Sequence, residues 1–328
     1  MGGDDMPNRP VSRSSLFQLL NFGRPRTLQL PVSAYGKLPF YKDFLRHGLA
    51  GQEAQAFKKW LDHGISKLWA SQEAYRDHEI GAFALLLSFP GTGQQVLAYL
   101  WGSHDHGALR RFPFTVFVSL PTDRSMAPLE YLSALAQVVS HGRTLREELK
   151  GIEGVDQFYP LIRTRTVEVI LEGDRKVREQ YLGSEEPKVG HLGTLIFRDE
   201  AKERWPALLA TVKYPPKGDK KPFAVRLPTT LSLPQECMAA FWCLLSAKRR
   251  KAPLQVLWST DGPTAGISVL HRPLEPLDIL ALHPEMPEYP DIADLRKPLS
   301  PSAPVKPLAE DQLTKPFGAI LEKSFRLT

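Results

Sequence analysis

The stretch richest in reactive side chains is "GSHDHG", residues 102–107. Alternate residues of an extended strand share a side, so His104 and His106 can converge, with Asp105 adding a carboxylate. Imidazole and carboxylate suit zinc or another divalent ion. Such a site needs a third ligand, and no HExxH, second HxH or partnered carboxylate accompanies the stretch. Ser, Asp and His between glycines commonly serve turns, which makes a loop the simpler reading. A metal-dependent hydrolase using His104, Asp105 and His106 stays open as an alternative function.

Other chemistries find less support. There is no GxSxG elbow, and "GTG" at 91–93 lacks the G-x-x-x-x-G-K-[ST] pattern of a phosphate loop. The carboxylate patterns that hold magnesium in phosphatases and kinases are also missing. Cys237 and Cys243 lie six apart in one predicted helix, on different faces, and read as buried thiols of a reducing compartment. No catalytic residue, metal or cofactor is assigned; the missing signatures favour a binding protein and leave an unfamiliar enzyme open.

The elements that would position these residues follow from periodicity. "EAQAFKKWLDHGISKLWAS" places Phe57, Trp60, Leu61, Ile65, Leu68 and Trp69 on one side of a helical wheel, despite Gly64. "IGAFALLLSF" and "QQVLAYLWG" are apolar runs separated by "PGTG", a hairpin signal, and "FPFTVFVSLP" adds a third strand. "APLEYLSALAQVVSHGRTLREEL" is helical by the same spacing, whereas "RTVEVILE" alternates like a strand but has charged flanks that suit a helix equally. "DEAKERWPALLATVKY" reads as a helix that Pro206 kinks or restarts.

A second block echoes the first: "PFAVRLP" as a strand, "PQECMAAFWCLLSAKRR" as an apolar helix, "LQVLWS" and "AGISVLH" around a "TDGPT" turn, and "EPLDILAL" as a short helix. Trp60, Trp69, Trp101, Trp205, Trp242 and Trp258 fall mostly on apolar faces and read as core residues whose indole N–H finds a local acceptor. The expected class is α/β in the α+β sense: a mixed, largely antiparallel sheet covered by helices on its faces, with a proline-rich C-terminal extension. Residues 1–30 are expected to be a flexible N-terminal segment with at most a helical turn at "SLFQLLNF". Residues 31–283 are the globular domain, 284–307 a proline-rich linker, and 308–328 a C-terminal helical segment that docks back or recruits a neighbour.

Composition narrows the partners. The 328 residues are 42% hydrophobic, enough for a large core, and 42 Lys and Arg exceed 36 Asp and Glu for a formal charge of +6. That excess is mild. "KGDKK" at 217–221 sits among prolines, and "AKRRK" at 247–251 ends a predicted helix, where cations suit the dipole; neither reads as a nucleic-acid site. No stretch reaches the roughly 18 apolar residues of a membrane span, and the N-terminus lacks a signal-peptide core, so a cytoplasmic protein is expected.

"YGKLPFYKDFLRHG", residues 35–48, reads physically as a chain reversal. Gly36 supplies a conformation that other residues resist, and Pro39 biases Leu38 toward extended geometry. Asp43 is placed to cap a short helical turn ending at Gly48, under which Tyr35, Leu38 and Phe44 can tuck, and to pair with Lys37.

The same stretch resembles the G-K-[LM]-P-x-x-G-D-F motif of the TagF family, also called ImpM, which accompanies bacterial type VI secretion. The match holds at Gly36, Lys37, Leu38, Pro39, Asp43 and Phe44 and departs at Lys42, where the family usually has glycine. "SHDHGALRRFPF" is similar to the family's S-x-D-[RK]-x-G-R-x-[FY]-P segment, keeping Ser103, Asp105, Arg110, Phe112 and Pro113, with one extra residue and a displaced glycine. His104 and His106 are peculiar to this chain. The similarity is clearest over 33–120 and weaker over 222–285.

The resemblance implies a non-enzymatic post-translational repressor of type VI secretion. Such proteins engage the apparatus's forkhead-associated scaffold protein and work with a PP2C-type phosphatase, which here must be a separate chain. A structural assembly component of the same apparatus is the further alternative. Lys37, Asp43, Asp105, Arg110 and Arg111 are the candidates for polar recognition. Gly36, Pro39, Phe112 and Pro113 are expected to maintain the fold.

Overall fold

The computed structural model describes residues 25–71, 80–108, 110–123, 126, 128–173, 176–177, 179–180, 224–228, 255–260, 266–270, 272–282 and 293–294. In chain order the strands are β1 (Arg26–Pro31), β2 (Ser33–Gly36), β3 (Leu45–His47), β4 (Phe83–Ser88), β5 (Gln94–Trp101), β6 (Phe114–Pro121) and β7 (Thr166–Leu171). They continue as β8 (Ala224–Pro228), β9 (Gln255–Ser259), β10 (Gly266–Leu270) and β11 (Ala293–Asp294). The helices are α1 (Gln52–Ser71), α2 (Pro128–Leu149) and α3 (Val155–Arg163), with 3-10 turns at His106–Ala108 and Pro276–Leu282.

Nine strands form one sheet in the order β11-β8-β10-β9-β4-β5-β6-β2-β3, and β1 pairs with β7 in a separate antiparallel ribbon. Among the described residues all pairings are antiparallel except β11 with β8. The strands β4, β5 and β6 are nearly continuous apolar runs, which suit a sheet centre covered on both faces. Leu86, Leu97 and Val116 face one cluster with α2, α3 and the β1–β7 ribbon. Their neighbours Leu85, Leu87 and Phe117 face the other, with α1 and the 3-10 helix at Pro276–Leu282. Each such side chain, fully buried, contributes about 1.5–3 kcal/mol relative to exposure.

The mixed, mostly antiparallel sheet with helices on its faces is the architecture expected. The two blocks do not form two sheets: they join edge to edge where β4 pairs with β9, from Phe83↔Ser259 to Leu86↔Val256. The buried Gln255 amide extends that seam, donating to the Ser88 carbonyl at 2.8 Å and accepting from the Ser88 N–H at 2.6 Å. "RTVEVILE" resolves as strand β7, its buried Val167, Val169 and Leu171 alternating with exposed residues. The amide of Gln137 on α2 covers its outer edge, bonding both the N–H and the carbonyl of Ile170.

Three local expectations differ from the structure. Residues 45–47 are strand β3, not a helical turn, because pairing with β2 satisfies a backbone that an Asp43 cap would not. The first strand starts at Arg26, inside the segment read as irregular, since β7 supplies its partner. Within the proline-rich stretch, Ala293–Asp294 pair with β8.

Helix α1 lies close on the 3-10 helix. A Cβ on Gly64 would stand 2.8 Å from both Ile279 Cβ and the Pro276 carbonyl oxygen, so glycine at this helical position is what the close approach requires. Trp60 Nε1 donates to the Glu275 carbonyl at 2.9 Å. The Arg272 guanidinium grips the buried Asp278 carboxylate with both Nη atoms. Trp60, Trp101 and Trp258 are core residues as expected, and Trp69 is half-buried. Trp258 Nε1 is buried without an acceptor among the described residues. Trp205, Trp242, Cys237, Cys243, the two basic runs, "SLFQLLNF", the helices expected at 199–214 and 234–250, and the tail 308–328 lie outside the described residues.

Candidate functional site

The reactive-looking loop is the tip of the β5–β6 hairpin. Its register pairs Trp101 with Phe114, and the same register resumes at an isolated bridge between His104 and Arg111. The Asp105 N–H donates to the Arg110 carbonyl at 3.1 Å, and the Phe112 N–H to the Ser103 carbonyl at 3.0 Å. The turn closes at His106–Ala108, where Gly107 (φ 79°) is followed by Ala108 (φ 55°), both left-handed.

The 35–44 corner is pressed against this tip by Gly36. Its φ is 137°, and a Cβ there would lie 2.2 Å from the Pro113 carbonyl oxygen and 2.7 Å from Phe114 Cα. Only glycine allows β2 to approach the start of β6 in this way. Leu38 is buried, and Tyr41 N–H closes a turn on the Leu38 carbonyl at 3.0 Å.

Charge then locks the two loops together. Lys37 Nζ, on a side chain 1% exposed, lies 3.2 Å from Asp105 Oδ2, on a side chain 2% exposed. The other carboxylate oxygen accepts the Arg110 N–H at 2.8 Å, and Oδ2 also accepts Arg110 Nε at 2.7 Å. The Lys42 carbonyl receives Arg110 Nη2 at 2.6 Å and Lys37 Nζ at 3.4 Å. His106 adds a backbone bond to the Tyr41 carbonyl at 3.1 Å and an Nδ1–H bond to the Pro39 carbonyl at 3.2 Å. Burial by itself would push the Asp105 carboxyl up, but the Arg110 amide and guanidinium and the Lys37 ammonium outweigh it and hold the pKa at about 2.

Aromatic rings support the clasp from the α1 side. Phe44 stacks on Tyr35 at 5.5 Å and meets Phe112 edge-on at 4.8 Å. Lys37 Nζ sits 4.6 Å from the centroid of Phe44. Tyr35 donates its hydroxyl to Asp62 at 2.5 Å, and Lys58 holds the same carboxylate at 2.6 Å.

Every motif residue singled out in the sequence therefore lies in one contiguous region, from Gly36 to Phe44 on one loop and Ser103 to Pro113 on the other. The pairing differs from expectation. Lys37 bonds Asp105, not Asp43, because its side chain points into the sheet side of the corner while Asp43 is exposed and accepts the Phe44 N–H at 2.7 Å. Lys37 and Asp105 are thus framework residues, whereas Arg110 and Arg111 are exposed. Lys42 needs no glycine, since Ala108 is the non-glycine residue with positive φ among those described.

Sequence reasoning missed the Lys42 carbonyl, a backbone acceptor that no residue type announces. It also missed Asp62, for which the i,i+4 spacing to Lys58 was a usable signal.

This geometry does not suit ion binding. Both Asp105 oxygens are engaged, and His104 Nδ1 turns to the Asp105 carbonyl at 2.8 Å while His106 turns to Pro39. Among the described residues no three His, Cys, Asp or Glu side chains gather to hold a metal. No helix among them is long and apolar enough to cross a membrane.

Comparison with known proteins adds two findings. The family model "TagF N-terminal domain, Type VI secretion system-associated" matches residues 33–162, from β2 to the end of α3, which carries both loops of the clasp. Among solved structures, the crystal structure of PA0076 from Pseudomonas aeruginosa PAO1 is similar, at 15% identity and a TM-score of 0.44, over 83% of this chain and 100% of that one. No curated protein matches the chain. Residues 33–162 of this chain are thus a TagF N-terminal domain, a domain associated with type VI secretion.

Proposed function

We propose that this protein is a non-catalytic regulator that restrains assembly of a type VI secretion machine by occupying a surface of the apparatus's forkhead-associated scaffold protein. A separate PP2C-type phosphatase is a second partner, and the chain acts from the cytoplasm, recruited to the membrane-associated complex. The observation that carries this reading is the clasp itself. Gly36, Lys37, Asp105 and Arg110 of the TagF motif come together, and the charges of the last three hold two loops rigid: Asp105 accepts from Arg110 and Lys37, and the Lys42 carbonyl accepts from both cations. Catalytic carboxylates keep a free oxygen aimed at a cleft. A frame that rigidifies an exposed corner is instead what a docking surface needs, because preorganisation lowers the entropic cost of association.

The test is co-purification of the full chain with the forkhead-associated scaffold, alongside secretion measured in cells lacking or overproducing this protein. A stable complex, with secretion raised by deletion and lowered by excess, is the expected result. Turnover of a substrate, or an unchanged secretion level in both strains, overturns it.

A further inference from the structure

We infer that the outer face of the corner, Phe44 flanked by Lys42 and Arg46, is the surface that meets the partner, and that the partner presents an acidic segment to it. This rests on the docking role proposed above and assigns the chemistry of the contact.

The clasp separates the motif into a frame and a face. Lys37 and Asp105 satisfy each other in the interior and hold the corner in place. Lys42, Asp43 and Arg46 are exposed, and Phe44 is half-buried. Among the described residues, the Lys42 ammonium and the Arg46 guanidinium make no hydrogen bond or ion pair. Arg46 sits opposite Tyr35 in the β2–β3 register, so the two side chains leave the sheet on one side. That is the side on which Tyr35 stacks with Phe44.

Neighbouring charges do not neutralise the pair. Lys58, 4.9 Å from the centroid of Tyr35, holds Asp62 at 2.6 Å, and Asp62 also accepts the Tyr35 hydroxyl. Asp43, which turns an oxygen back onto the Phe44 amide, offsets one of the two charges and leaves the face net positive. What remains is a half-buried phenyl ring with an unpaired cation two residues to either side in the chain, beside β3, an end strand of the sheet among the described residues. An aromatic anchor with an arginine beside it is the composition enriched at protein interfaces. The arginine fork suits carboxylates, and net positive charge favours an acidic partner over a neutral or basic one. A half-buried ring fits a protein segment with an apolar residue better than a bare phosphate backbone, which offers it nothing to pack against.

The test measures affinity of the full chain for the forkhead-associated scaffold by titration calorimetry at low and high salt. Lys42→Glu with Arg46→Glu is expected to weaken binding about tenfold at low salt and to remove most of its salt dependence. Neither side chain makes a hydrogen bond or ion pair within the clasp, so the thermal midpoint should move little. Lys42→Gln with Arg46→Gln should give a smaller loss in the same direction. Wild-type binding that the double Glu variant retains in full overturns this inference and leaves the docking role standing. No binding by the wild-type chain overturns both. Capture by phosphatidylglycerol vesicles with no measurable scaffold binding assigns the cations to a membrane and likewise overturns both.

Discussion

Lys37 and Asp105 stand 68 residues apart in the chain, yet their charged atoms meet at 3.2 Å with both side chains almost wholly buried. The contact joins the corner after β2 to the tip of the β5–β6 hairpin, so it holds together the two segments that carry the family motif. A buried ion pair of this kind adds little over an apolar replacement of both partners, but losing one partner leaves the other charge stranded.

Asp105→Asn is accordingly expected to cost about 3–5 kcal/mol, because it leaves the Lys37 ammonium buried without a counter-charge. Lys37→Met should cost less, since Arg110 still serves the carboxylate. Urea unfolding of both variants and of the double variant measures this. A double variant as unstable as the sum of the singles would mean that the two side chains act independently.

The clasp also predicts acid sensitivity. The Asp105 carboxyl falls from its ordinary 3.8 to about 2 in the folded protein. A lowered folded pKa contributes stability that is complete above the ordinary value and is lost as pH falls from about 4 through 2. The difference in unfolding free energy between wild type and Asp105→Asn should therefore narrow across that window. A difference that stays constant from pH 5 to about 2 would remove the carboxylate from this role.

Gly36→Ala should be among the most damaging single changes. It places a Cβ 2.2 Å from a backbone oxygen at φ 137°, where neither atom can yield without shifting β2 or β6. A loss of about 3 kcal/mol or more is expected, read from the denaturation midpoint. A change within about 0.5 kcal/mol would show that the approach of the two strands is loose.

Ala108→Gly should act in the opposite direction. Ala108 holds φ 55°, a region that costs a residue with a Cβ about 1–2 kcal/mol. Glycine removes that strain but adds unfolded-state freedom, leaving an expected gain of up to about 1 kcal/mol. Thermal unfolding would show it as a higher midpoint, and a lower one would count against the strain.

Much of the architecture was legible because burial leaves a periodic trace. The runs at β4, β5 and β6 had to lie in a sheet covered on both sides, and the wheel of Phe57, Trp60, Leu61, Ile65 and Leu68 had to cover one of those faces. Segments decided by a distant partner were less legible. "RTVEVILE" is a strand because β1 and Gln137 satisfy it, and β3 is a strand because β2 lies beside it.

The site divides in the same way. Residue identities alone located the two loops: the motif's Gly36, Lys37, Asp105 and Arg110 are where they meet. Only the tertiary structure decided what each one does. Spacing along a chain says nothing of distance through space, so nearby Asp43 looked like the partner of Lys37 while the folded chain brings Asp105 to it. Burial then turned two of the expected recognition charges into the frame and left Lys42 and Arg46, one an apparent departure from the motif, unpaired on the surface.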